Sequence, residues 1–248
     1  MTNYLEKIII DIELQSIEGI KECFENGISP DADFKNRPLI YEVISGYPRG
    51  EGFKKSIKAF VDYGVTFDDQ VLLAVLLDDA QMLKELLAKD DYLIDKRYSL
   101  DCAFTQMLEV TLLHVCAEYN HLACAEILVQ QGLNVNAQAG TDEYGFGGQT
   151  AIFHTVNQNG NKCMDVLKFL VSQGADLGPT VKGIIWGKSY EWETFIPAVN
   201  PISYAMMGLL PQFQRKEKLI YEVVSILLEA AYGKGYMPSN IPNKYLNS

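Results

Sequence analysis

The 248-residue sequence predicts an all-α solenoid of about six helix–turn–helix repeats, with extended finger loops in its second half. Three observations carry this prediction. A unit of two short amphipathic helices closed by glycine recurs along the chain. Capping residues and helix stops fall at matching places in successive copies. The connections between copies lengthen sharply after residue 90.

The copies follow in order. In the first, Leu5, Ile8, Ile9 and Ile12 share one helical face while Glu6, Lys7 and Asp11 face away, as an end copy needs a polar outer side. A second helix then runs to Gly27. The second copy starts at Arg37 with Pro38 at the first helical position, where a missing N–H costs nothing, and ends at Gly64. The third is compact, with Asp69 as cap and Asp90 in the glycine slot. The fourth begins on Thr111 and turns at Asn120, which tolerates a left-handed backbone. Its second helix places Leu122, Ala125, Leu128 and Val129 on one side and stops at Gly132. The fifth runs from Thr150 to Gly174. The sixth starts at Asn200, with Pro201 at the first helical position. One solenoid over residues 1–233 and an irregular tail over 234–248 are expected.

Thr111, Leu113, His114, Ala117, His121, Leu122, Leu128, Gly132, Val135, Asn136 and Ala137 agree in register with the ankyrin repeat, which the fourth copy resembles. Ser172–Leu177 agrees again, and the other copies match mainly by position. The resemblance implies stacked helix pairs. It also implies that His114 and His121 hydrogen-bond to backbone and tie one repeat to the next. Cys116 and Cys124 then stand at small buried positions, where cysteine acts as a small hydrophobe. The competing reading of the same cluster is a Cys-x4-His-x2-Cys zinc site with His114 as fourth ligand. The repeat pattern explains all four residues without a metal, and no third residue orients a catalytic Cys–His pair. His154 lies one position past the family's histidine and is placed at the surface or at a repeat interface.

A net charge of −11 argues against nucleic acid as a partner and points to a protein partner with a basic patch. Five cysteines without a Cys-x-x-Cys motif read as reduced thiols in a cytoplasmic protein. There is no apolar run long enough to span a membrane. A monomer without cofactor, metal or catalytic residues is expected. The Gly-rich stretch at Gly140–Gly148 lacks the Lys-Ser/Thr of a phosphate loop.

The departures from a regular repeat carry the functional reading. From helix stop to next cap the spacings are ten and five residues early in the chain, then twenty-one, eighteen and twenty-six. The long fingers, 91–110, 133–149 and 175–199, should line up on one side and hold nine acidic against four basic side chains. They are also rich in the rings that anchor interfaces. Tyr98, Asp142, Glu143, Tyr144, Phe146, Trp186, Tyr190 and Trp192 are therefore the candidate protein-binding residues. Tyr144, Trp186 and Tyr190 are expected to be more exposed than Phe104 or Phe195. Alternatively, these rings pack the fingers on one another; Ile184–Phe195 alternates as a hairpin would. The function expected is a non-enzymatic scaffold that binds a protein through acidic, aromatic fingers. The alternatives are an enzyme with a site between the fingers, or an inhibitor or immunity-type protein for one cognate partner. Two inserts between paired helices, near Gly46–Phe53 and Met206–Lys218, are expected to project from the opposite edge.

Overall fold

A computed structural model describes residues 3–209 and 215–237. Residues 210–214 of the last insert and 238–248 of the expected tail lie outside the described residues. Twelve α-helices among the described residues form six consecutive pairs: α1 Tyr4–Glu13 with α2 Ile17–Glu25, α3 Ile40–Ser45 with α4 Glu51–Asp62, α5 Gln70–Leu77 with α6 Ala80–Lys89, α7 Leu112–Tyr119 with α8 Leu122–Gln130, α9 Phe153–Val156 with α10 Met164–Ser172, and α11 Pro201–Met206 with α12 Glu217–Tyr232. Each pair packs on the next, and one apolar core runs the length of the stack from Ile8 to Leu227. Among described residues, no helix is long and apolar enough to cross a membrane.

Local chemistry sets most boundaries. Asn3, Ser16, Asp69 and Asp79 cap their helices through side-chain oxygens. Pro201 opens α11 behind an Asn200 cap. Asn120 takes φ 60° at the α7–α8 turn and Gly132 takes φ +95° just past α8, both as the sequence requires. Two expectations fail. Pro38 is not the first residue of a helix; it pairs with Asp33 in a two-residue ladder, and α3 begins at Ile40. Asp90 does not adopt a glycine-like turn. It is extended and caps a 3-10 turn over Asp91–Asp95 by accepting from the Tyr92 N–H at 3.1 Å.

The fold is not strictly all-α. Among the described residues, three of the connections between pairs hold a two-stranded antiparallel sheet: β1 Asp33–Phe34 with β2 Arg37–Pro38, β3 Tyr98–Leu100 with β4 Met107–Val110, and β5 Val181–Trp186 with β6 Thr194–Val199. The last is the hairpin that the alternation predicted, in register from Val181↔Val199 to Trp186↔Thr194. The α3–α4 insert does not project. Phe53 at its end stacks on Tyr119 of α7 at 4.1 Å, and the Tyr119 hydroxyl donates to the Ile44 carbonyl at 2.6 Å. The second and fourth pairs thus meet past the third.

Candidate protein-binding surface

The histidine and cysteine cluster is structural. His114 Nδ1 accepts from the Thr111 N–H at 3.2 Å, so the proton sits on Nε2, which donates to the Gln149 carbonyl at 3.0 Å. His121 Nδ1 donates to the Val75 carbonyl at 2.7 Å, linking α8 to the preceding pair. Burial pushes both imidazoles down to about 3, so they stay neutral. Cys116 and Cys124 are buried free thiols, and the Cys124 thiol donates to the Ala74 carbonyl at 3.6 Å. Among described residues no three His, Cys, Asp or Glu side chains group as a metal would need.

His154 is not at the surface. It is fully buried, and its Nδ1 donates to Glu118 Oε2 at 2.9 Å. The other Glu118 oxygen accepts from Arg49 at 3.0 and 3.1 Å and from Gln158 at 2.7 Å. Arg49 lies between the Phe104 and Tyr119 rings, 4.8 Å from each centroid. Burial raises the Glu118 carboxyl, but Arg49 and the two side-chain donors outweigh it and hold the group below its usual range. This centre joins the second, fourth and fifth helix pairs. The sequence offered one hint, an arginine inside a Gly/Pro-rich insert, and nothing to name its partners.

The three fingers are laced into one slab. The Gly140 N–H donates to the Leu108 carbonyl at 2.8 Å, and the Gly147 N–H to the Gly183 carbonyl at 2.9 Å. Arg97 crosses to the Gln138 carbonyl at 2.6 Å. Buried Gln106 serves all three fingers: its Oε1 accepts from the Ile185 N–H at 2.8 Å, its Nε2 donates to the Phe146 carbonyl at 3.4 Å, and its carbonyl accepts from Gln149 at 2.6 Å. The β5–β6 tip folds back to the second helix pair. There the Tyr190 hydroxyl donates to the Ser45 carbonyl at 2.7 Å, while Trp192 Nε1 donates to the Ala103 carbonyl of the first finger at 2.9 Å.

This lacing sorts the candidate residues. Trp186, expected at an exposed tip, is 4 % exposed against Phe104, because it points the same way as inward Ile184 two positions before it. Tyr98 is also buried, its hydroxyl 3.4 Å from Asp69. Phe195, expected to be covered, is 47 % exposed, since the pleat that turns Ile196 inward turns its neighbour out. Tyr144 is 64 % exposed, Trp192 37 %, and Phe146 and Tyr190 are half-buried. The Asp142 carboxylate accepts from the Tyr144 and Phe146 N–H groups at 3.0 and 2.9 Å and so builds its own turn. Glu143 is exposed. Tyr144, Phe146 and Phe195 form a ring ladder with centroids 6.1 and 4.6 Å apart, with Lys182 over the middle ring. Gly183 lies beneath it, where a Cβ would come within 2.5 Å of the Phe195 ring. Tyr47, from the α3–α4 insert, was not a candidate, yet it is exposed and meets Trp192 edge-on at 6.0 Å.

Among curated proteins, none matches the chain. The family described as ankyrin repeats (3 copies) matches residues 71–181, from α5 to the start of β5, which supports an ankyrin-repeat module over this part of the chain.

Proposed function

We propose that the protein is a non-enzymatic interaction scaffold. In this reading six ankyrin-type repeats carry fused fingers that hold a protein partner with basic and apolar features. The observation that carries it is the ladder of Tyr144, Phe146 and Phe195 on a hydrogen-bonded support, with Glu143 beside it. Exposed rings on a rigid base lose little entropy on binding, and neighbouring carboxylates steer a basic partner. His114, His121 and Glu118, whose titration is displaced, are buried in the helix stack away from any cleft, which supports a non-enzymatic role. The protein acts as a monomer in this reading, and sedimentation checks that.

The test is affinity capture from native extract with the intact chain, followed by binding measurements on the partner identified. Tyr144→Ala and Phe195→Ala should each weaken binding by about 1–3 kcal/mol while melting like the parent. Variants that fold and bind normally would remove this face from the function.

A further inference from the structure

We propose that the cleft between α1, the α3–α4 connection and the β5–β6 tip takes an arginine side chain of the partner. This rests on the scaffold reading and assigns a second, separate contact. The cleft measures about 300 Å³ and is walled by Ile9, Ile12, Glu13, Tyr47, Tyr190 and Trp192. Its rings are fixed in advance. Tyr190 is tied to the Ser45 carbonyl and Trp192 to the Ala103 carbonyl. Tyr190 stacks on Trp192 at 4.8 Å, and Tyr47 stands at 85° to the same indole.

The charge around the cleft favours a cation. Glu13 is exposed and makes no ion pair among the described residues. It is the last residue of α1, whose final turn holds no basic side chain, so the negative end of the helix dipole adds to the carboxylate. Arg37 lies close enough to act on Tyr190, but it is already paired with Glu42 at 2.9 Å and Asp101 at 2.5 Å. An incoming side chain therefore meets an unpaired carboxylate, aromatic faces and two isoleucines. A planar guanidinium on an aliphatic stem satisfies all three, because it stacks on rings, forks to a carboxylate and lays its methylenes on apolar surface. A lysine has the stem and the charge, but its ammonium has no plane to stack on the rings and no fork to match the carboxylate.

The experiment titrates the intact 15N-labelled protein with N-acetyl-arginine N-methylamide and, separately, with its neutral citrulline analogue. The chain has two tryptophans, and hence two indole N–H signals; Trp192→Tyr assigns the one of interest. The Trp192 signal should shift saturably with arginine in the low-millimolar range, as one cation–ring contact with one charge pair would give. Citrulline should bind several-fold more weakly. Glu13→Gln should weaken arginine binding about two- to fivefold, and Glu143→Gln should leave it unchanged. Equal binding of the two analogues, indifference to Glu13→Gln, or no saturable shift at Trp192 overturns the proposal. If partner capture stays sensitive to Tyr144→Ala while the titration is flat, the cleft assignment alone fails and the scaffold reading stands.

Discussion

Arg49 and Glu118 show how far a single side chain reaches in this molecule. Each is buried and each satisfies the other, so removing one strands a charge. Arg49→Ala should cost about 3–5 kcal/mol in a urea melt. A loss below about 1 kcal/mol would mean that water reaches the site. His114 and His121 give a second prediction at this scale. The unfolded chain protonates them below about 6.5, while the folded chain does so only near 3. More protons bind to the unfolded state between those limits, so the stability they confer is complete above about pH 6.5 and drains away as pH falls. At pH 5 the loss is about 2 kcal/mol per histidine. Urea midpoints at pH 7 and pH 5 measure it, and His121→Leu should flatten the slope. The backbone-tying role of both histidines was legible only through the resemblance of the fourth copy to the ankyrin repeat. The burial of His154 was not, because it depends on Arg49 and Glu118, residues distant in sequence.

At the scale of elements, periodicity located the six helix pairs and the β5–β6 hairpin. What it missed has two physical causes. The Asp33–Pro38 ladder is too short to show an alternation. The direction in which Trp186 and Phe195 point depends on which face of the hairpin meets the other fingers, and that is tertiary information. The consequence is testable. Trp186→Ala should act as a core truncation of about 3–5 kcal/mol and lower the melting temperature, in contrast to Tyr144→Ala. Gly187 supplies another test. It holds φ +63° at the hairpin tip, and a Cβ there would lie 2.4 Å from the Trp192 ring. Gly187→Ala should therefore destabilise by about 1–3 kcal/mol and displace the Trp192 indole signal. An unchanged melt and spectrum would show that the tip is free to readjust.

As a whole, the molecule combines two kinds of order. A helix-pair stack is held by contacts between neighbours and frays from its ends. The finger slab overrides that rule, since Gln106 and the hairpin tip connect elements that are not neighbours in the stack. Hydrogen exchange should find β3–β6 opening together, and Gln106→Ala should raise exchange at Ile185 and Gly147 alike. Independent opening of each finger would contradict this. The bond from Tyr190 to Ser45 spans 145 positions of chain. Contacts that long slow folding, because the loop must close before the contact rewards it. A ribosome makes the N-terminal helices well before it makes the strand pair that latches on to them. The early pairs can dock as they emerge, but the clasp closes only once the chain is made past Val199. Until then the Ser45 carbonyl and the Tyr47 ring lack their hairpin partners, and that surface is open to other chains.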